Sequence, residues 1–186
     1  MRLILTVTLS LLSFFCFAGP IENYVELFKD RAYDWENSGN VCEFVAQEEM
    51  KAYFPEDKYE IKSGITYKFN NQVVGELDLI IFNRSTNMVD AIGEVKCWKE
   101  PGQGYQKAIE QRARFKKFVG RDVIIQDQER VYDNVQFRSV KTFFSVAQGG
   151  SKSYGFDYEI PLTLKEAKDL RTAMLRCQSS GKCLKH

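Results

Sequence analysis

Three strand-like segments follow one another between residues 59 and 98, and this run limits the possible folds more than any other feature of the chain. The segments are residues 59–69, 73–82 and 88–98. Asn70-Asn71 joins the first two, and this dipeptide is a turn signal suited to a hairpin. Residues 84–87 form the turn to the third segment. The run therefore predicts consecutive strands of one sheet.

Helical segments are expected on both sides of this run. Apolar residues recur at near-helical spacing in residues 22–35, and a second helix, residues 41–54, stops at Pro55. Residues 105–119 form a third helix closed by Gly120. Later come two strand candidates, residues 123–125 and 140–146, and a last helix begun by a capping box from Thr163 to Glu166. This order predicts an α/β or α+β sandwich with a mixed central sheet.

The first eighteen residues predict export. Met1-Arg2 gives a positive start, residues 3–17 carry no charge, and Ala18 completes a site similar to Ala-x-Ala. The apolar run is shorter than the roughly 20 residues of a membrane-spanning helix. We therefore expect a signal peptide, residues 1–18, and one mature domain, residues 19–186, in the periplasm or outside the cell.

The overall charge gives no support for nucleic-acid binding. The chain has 26 Lys+Arg and 25 Asp+Glu, and removal of Arg2 leaves 25 of each. Proteins that bind polyanions usually carry a basic excess, so such a function must rest on a local cluster. One cluster lies in residues 107–121 and consists of Lys107, Arg112, Arg114, Lys116, Lys117 and Arg121. A solvated helix face with internal pairs, such as Glu110 with Arg114, is the alternative interpretation.

Four cysteines remain in the mature chain, and export favours their oxidation. Cys177 and Cys183 bracket a short flexible stretch and are expected to pair, which leaves Cys42 for Cys97. A zinc site is the rival interpretation, but the chain has no Cys-x-x-Cys and its single histidine is His186. Free buried thiols are a third possibility.

Two short motifs on neighbouring predicted strands carry the candidate chemistry. The first is Gly75-Glu76-Leu77-Asp78-Leu79-Ile80-Ile81, and the second is Gly93-Glu94-Val95-Lys96. Residues two apart on a strand face the same side, so Glu94 and Lys96 project together while Val95 points into the core. Pairing of the strands brings Asp78 beside Glu94. Two carboxylates this close are costly unless a cation lies between them, and Mg²⁺ prefers such ligands.

These motifs resemble the PD-(D/E)xK nuclease superfamily, and they are similar to its Holliday-junction-resolvase-like and restriction-endonuclease-like members. The resemblance covers about residues 40–115, although Gly75-Glu76 replaces the proline before the aspartate. It implies an αβββαβ core with extra N- and C-terminal helices. It also implies phosphodiester hydrolysis, with DNA as substrate, by a water that Mg²⁺ or Mn²⁺ activates. The carbonyl of Val95 would be a further metal ligand, and Lys96 would hold the water or the phosphate.

The superfamily also places functional residues on the two helices beside the sheet. An acid lies on the helix before the sheet, for which Glu43 and Glu48 are candidates, and the early position favours Glu43. Members related to the RecB nuclease domain carry Gln-x-x-x-Tyr after the lysine, which Gln111 matches with Phe115 replacing the tyrosine. The implied catalytic set is Glu43, Asp78, Glu94, Lys96 and Gln111. The implied nucleic-acid contacts are Lys107, Arg112, Arg114 and Lys117.

Export leaves two further hypotheses open, because this superfamily is mostly intracellular. The chain could be a non-catalytic binding module that keeps the nuclease scaffold. It could also be a small secreted toxin or effector, for which a neutralising inhibitor protein is the expected partner.

Overall fold

The computed structural model describes residues 19–119, 121 and 123–185. The predicted signal peptide and Gly120, which was expected to close a helix, lie outside the described residues. None of the described helices combines the length and the apolar character that crossing a membrane requires.

The described chain contains both α-helices and β-strands, which confirms the predicted mixed α/β class. The four α-helices are α1 (Pro20–Phe28), α2 (Ser38–Met50), α3 (Pro101–Phe118) and α4 (Leu164–Ser179). The strands are β1 (Tyr59–Lys62), β2 (Ile65–Phe69), β3 (Gln72–Leu77), β4 (Leu79–Asn83), β5 (Met88–Lys96), β6 (Ile124–Gln126), β7 (Val131–Tyr132), β8 (Thr142–Ala147) and β9 (Tyr158–Glu159). Short 3₁₀ helices cover Asn134–Phe137 and Lys152–Tyr154.

The strands form two sheets. The larger sheet has the order β1-β4-β5-β8-β9, in which β4 runs antiparallel to both β1 and β5, and β8 runs parallel to both β5 and β9. The smaller sheet has the order β3-β2-β6-β7 and is antiparallel throughout. A parallel pair needs a long crossover, and the segment between β5 and β8 contains α3.

The prediction of two continuous strands over residues 59–69 and 73–82 is wrong, because each segment divides between the two sheets. The first breaks at Gly64, which has a φ of 66°, a conformation that glycine adopts easily. The second breaks at Asp78, between β3 and β4. The hairpin turn itself is confirmed, since Asn70 and Asn71 have φ values of 50° and 62°.

Several predicted helix boundaries also differ. The first helix ends at Phe28 rather than at residue 35, and Trp35 is buried in the loop that follows. The second helix begins earlier than predicted, because the side chain of Asn37 caps it by accepting a hydrogen bond from the Gly39 amide (2.9 Å). The third helix begins at Pro101 rather than at residue 105. The capping box at Thr163 is confirmed.

The larger sheet is buried on both faces. Leu79, Ile81 and Val95 contribute to a first core that includes residues of α1, α2 and α4. Ile80 and Ile92 point the other way, into a second core shared with the smaller sheet and with α3. Burial on both sides explains why β4 is apolar without interruption.

Both predicted cysteine pairings are confirmed. The Cys42–Cys97 disulfide joins α2 to the residue directly after β5, and the Cys177–Cys183 disulfide closes a small loop at the end of α4. That loop is held against the end of α1, where the Leu184 amide donates to the Lys29 carbonyl (2.9 Å). Disulfides of this kind are typical of proteins in oxidising compartments.

Candidate functional site

Three oxygen atoms from the two sequence motifs meet at one cationic nitrogen. The Nζ of Lys96 lies 2.8 Å from Oδ2 of Asp78, 2.9 Å from the carbonyl oxygen of Val95 and 3.4 Å from Oε2 of Glu94. The carboxylates are buried, with Asp78 5% and Glu94 2% exposed. The structure therefore brings together the three residues that the sequence analysis selected as metal ligands.

The larger sheet fixes this arrangement. Leu79 lies opposite Gly93 in the antiparallel ladder of β4 and β5, so Asp78 comes next to Glu94. Oδ2 of Asp78 also accepts a hydrogen bond from the backbone amide of Val95 (2.8 Å), which holds the carboxylate against the strand. Because side chains alternate along β5, Glu94 and Lys96 face one side while Val95 enters the first core.

The two candidate helix acids lie in different surroundings. Glu43 lines a cleft together with Val95 and Lys96. Glu48 instead forms ion pairs with Arg31 and, at 2.8 Å, with Lys51. Of the two, Glu43 is therefore the acid that α2 directs toward the motif residues.

The cleft has a volume of about 480 Å³ and lies between the start of α2, the end of β5 and α3. Gln111 and two of the predicted basic residues are in its wall. The residues that line it are Asn37, Gly39, Glu43, Val95, Lys96, Cys97, Trp98, Lys107, Glu110, Gln111 and Arg114. The cleft therefore joins Glu43, Val95 and Lys96 to one face of α3, whereas the buried Asp78 and Glu94 are not part of its lining.

The residues of the predicted basic cluster do not all lie on one face of α3. Lys107 and Arg114 line the cleft, where Lys107 pairs with Glu110 (2.8 Å) and Arg114 donates weakly to the Val74 carbonyl (3.5 Å). Lys117 is exposed outside the cleft lining. Nε of Arg112 is buried without a hydrogen-bond partner in the described structure. Two of the four predicted nucleic-acid contacts thus line the same cleft as Glu43 and Lys96.

Burial and mutual repulsion perturb the carboxyl groups. Burial raises the pKa of Glu94 to about 9, and the negative charge of Asp78 adds to this effect against the opposing charge of Lys96. Burial, Asp78 and Glu76 together raise the pKa of Glu43 to about 8. Burial lowers the pKa of Lys96, but Asp78 and Glu94 outweigh it and raise this pKa above its usual value. The site therefore carries more potential negative charge than Lys96 neutralises.

Two further ionisable groups near the site, Glu76 and Tyr33, also have raised pKa values. Burial and then the charge of Asp78 raise the pKa of Glu76. Burial, followed by the charges of Glu43, Glu76 and Asp34, raises the pKa of the Tyr33 hydroxyl. Tyr33 and Glu76 line a second cleft, of about 600 Å³, together with Arg31 and Lys62.

Sequence reasoning did not identify Trp98, Asn37 or Tyr33 as neighbours of the site. Trp98 carried a usable signal, because it lies two residues after Lys96 and strand alternation places it on the same side. Asn37 stands out in the sequence only as the first residue of the turn-forming run Asn37-Ser38-Gly39-Asn40. No local sequence pattern distinguishes Tyr33, because its position depends on the path of the loop that follows α1.

The residues present suit a hard divalent cation. Within the described ranges, no three His, Cys, Asp or Glu side chains are grouped closely enough to form a metal site by themselves. The candidate set is therefore two carboxylates and one backbone carbonyl, all oxygen donors, which Mg²⁺ accepts while keeping several waters. Glu43 is the additional acid in the same cleft.

Comparison with known proteins gives no relationship from which a function could be transferred. No protein-family model matches the chain, and neither the curated proteins nor the solved structures contain a match. The functional argument therefore depends on the site itself.

Proposed function

We propose that this chain is a metal-dependent nuclease of the PD-(D/E)xK type that hydrolyses phosphodiester bonds, with DNA as its substrate. The observation that carries the proposal is the meeting of the Asp78, Glu94 and Val95 oxygens at a single cationic group, 2.8 to 3.4 Å away. A site that gathers three oxygens around one positive charge supplies the kind of donor that a hard divalent cation prefers.

The chain topology supports the same proposal. The order α2, β1, β4, β5, α3, β8 follows the αβββαβ order of a restriction-endonuclease-like core, with antiparallel pairing up to β5 and parallel pairing to β8. In this interpretation the smaller sheet is an insertion, since β2 and β3 lie between β1 and β4. The helices α1 and α4 are additions at the two ends.

The charge of the site also favours a cation. Asp78, Glu94 and Glu43 carry three negative charges when ionised, whereas Lys96 supplies one positive charge. Burying unneutralised charge is costly, and the raised pKa values of Glu43 and Glu94 express that cost. A divalent cation would remove it, and would then supply a water of lowered pKa and charge neutralisation of the phosphate.

The chain's own side chains would position the substrate. With the carboxylates engaged elsewhere, the Lys96 ammonium would turn to a phosphate oxygen or to the attacking water as a compact donor. Gln111 faces the same space and would donate a hydrogen bond to the phosphate, while Lys107 and Arg114 would contact flanking phosphates. Glu43, which lines the same cleft, would accept a proton from a water there.

The direct test is cleavage by the mature, oxidised protein of plasmid, single-stranded DNA and RNA, with Mg²⁺ and with EDTA. We expect Asp78→Asn, Glu94→Gln and Lys96→Met each to lower the rate by about 100-fold or more, because metal-assisted hydrolysis depends on several kcal/mol of charge stabilisation. Asp90→Asn is the matched control, since Asp90 lies on the same strand but is exposed and bonded only to Asn83 (3.0 Å). Unchanged cleavage by all three site variants would refute the assignment.

A second candidate is a non-catalytic module that keeps this scaffold. Lys96 already contacts all three oxygens, and such a network can serve structure alone. Thermal unfolding with increasing Mg²⁺ separates the two. The nuclease should gain stability with Mg²⁺, and Asp78→Asn should abolish the gain, whereas a structural ion-pair network should respond to neither.

A further inference from the structure

Trp98 is an exposed aromatic residue in the wall of the cleft. It is 44% exposed and shares the cleft with Lys96, Gln111 and Arg114. The other tryptophan of the chain, Trp35, is 1% exposed inside the first core. Trp98 is therefore the one tryptophan whose ring a ligand in the cleft can contact.

Trp98 lies two residues beyond the end of β5 and lines the same cleft as Glu43 and Lys96. Val95 and Cys97 contact the first core, and Cys97 is bonded to Cys42 there. Glu94, Lys96 and Trp98 occupy the alternate positions. The Cα atoms of Lys96 and Trp98 are at most about 7 Å apart, because two residues of chain cannot span more. One nucleotide could therefore contact both.

The backbone that carries the ring is fixed. The buried Gln148 side chain accepts a hydrogen bond from the Trp98 amide (3.1 Å) and donates one to its carbonyl (2.8 Å). Helix α3 packs against the same residue so closely that a Cβ on Gly104 would lie 2.9 Å from the Cβ of Trp98. With the Cys97 disulfide, these contacts fix the backbone and the Cβ of Trp98 before any ligand binds, which lowers the entropic cost of binding.

We propose that Trp98 is a stacking surface for an unpaired nucleobase beside the scissile phosphate, so that the cleft accepts single-stranded nucleic acid. This inference rests on the proposed nuclease function. Every base has a face that can stack on an aromatic ring, and stacking gives affinity with little sequence preference. A base inside a duplex is already stacked on its neighbours, so the ring can reach only an unpaired base. Lys107 and Arg114, on α3, line the same cleft and would contact the phosphate backbone.

The test is binding in EDTA, where the proposed hydrolysis does not proceed. A short labelled single-stranded DNA, the RNA of the same sequence and the corresponding DNA duplex are titrated into the mature protein, and tryptophan fluorescence is recorded in parallel. We expect the single strands to quench the emission of Trp98 and to bind more tightly than the duplex. Trp98→Ala should weaken single-strand binding by about 5- to 100-fold, and Trp98→Phe should weaken it less.

Tyr53→Ala is the matched control. Tyr53 is 58% exposed and packs on Tyr158, away from the cleft lining, so its loss should leave binding unchanged. Equal binding by Trp98→Ala and wild type would overturn the stacking site, as would duplex binding with the same affinity and quenching, or no binding by wild type. If Trp98→Ala does not fold, the stacking site is still tested by two measurements. These are the quenching of wild-type tryptophan emission by single strands and the affinity of Trp98→Phe for them.

The two proposals fail in different ways. Trp98-dependent binding of single strands without any Mg²⁺-dependent cleavage would refute the nuclease and leave the stacking site standing. Mg²⁺-dependent cleavage with binding that is indifferent to Trp98 would refute the stacking site alone.

Discussion

At the scale of single residues, Gly93 is the position next to the candidate site that tolerates least change. A Cβ at this position would lie 2.4 Å from the ring of Phe144. That ring is only 4% exposed and is held between Phe54 and Tyr158, so it cannot move aside. We expect Gly93→Ala to lower the free energy of unfolding by about 1–3 kcal/mol, as other overpacked cores do, in urea denaturation of the mature protein.

Gly102 provides the control for this prediction. A Cβ there would lie 3.6 Å from Tyr154, which is an ordinary contact, and the residue is in the first turn of α3. Alanine is the better helix former, so Gly102→Ala should be neutral or stabilising by up to about 1 kcal/mol. If Gly93→Ala and the wild type unfold at the same urea concentration, the Phe144 ring must be able to move aside.

The side chains of the candidate site were predictable where strand alternation decides their direction. Glu94 and Lys96 share a face because they are two apart on β5, and Asp78 joins them because a short turn connects β4 to β5. The choice between Glu43 and Glu48 was only a preference, because both lie on one helix and its docking decides which faces the sheet. The hydrogen bond from the Val95 amide to Asp78 had no sequence signal.

At the scale of elements, the Cys42–Cys97 disulfide connects the two segments that carry the candidate catalytic residues. Cys42 precedes Glu43 on α2, and Cys97 follows Lys96 at the end of β5. The bond closes a loop with a sequence separation of 55, compared with 6 for Cys177–Cys183. Chain-entropy reasoning assigns about 4 kcal/mol to the longer loop and about 2 kcal/mol to the shorter.

We therefore expect the double variant Cys42→Ser, Cys97→Ser to lose more stability than Cys177→Ser, Cys183→Ser, and to lose cleavage activity under conditions where it remains folded. The physical reason is that α2 is then free to shift Glu43 relative to Lys96, whereas the C-terminal loop lies away from the cleft. Chemical denaturation and cleavage rates measure the two effects. Equal cleavage by both double variants would show that packing alone positions α2.

The division of the predicted strands between two sheets could not be derived from the pattern. Residues 59–69 alternate apolar and polar side chains on both sides of the break, and residues 73–82 are mostly apolar, so the pattern of each segment fits one continuous strand and carries no mark of the crossing. Gly64 was a weak signal, since glycine inside a strand often marks a break. Asp78, at the second break, was recognised for its chemistry and not for its place between strands.

At the scale of the whole molecule, the candidate site lies where the two cores meet. Val95 belongs to the first core, while Ile80 and Ile92, on the same face as Asp78 and Glu94, belong to the second. The carboxylates are thus enclosed by apolar packing on both sides of the larger sheet. Enclosure raises the free energy of their ionised forms, so the stability of the folded chain is linked to pH and to cations.

The pKa values of Glu43 and Glu94 are raised in the folded chain, to about 8 and about 9, from about 4.3 in an unfolded chain. Their contribution to stability is fully present below about pH 4 and is lost as the pH rises through the folded pKa values. In EDTA, the Tm of the mature protein should therefore fall between about pH 5 and pH 9, by about 2–4 °C for each kcal/mol lost. The double variant Glu43→Gln, Glu94→Gln should show a flatter profile, and excess Mg²⁺ should flatten the profile of the wild type. If the wild type and the double variant show the same dependence of Tm on pH in EDTA, then ionising Glu43 and Glu94 does not destabilise the folded chain. A cation would in that case have no such cost to relieve.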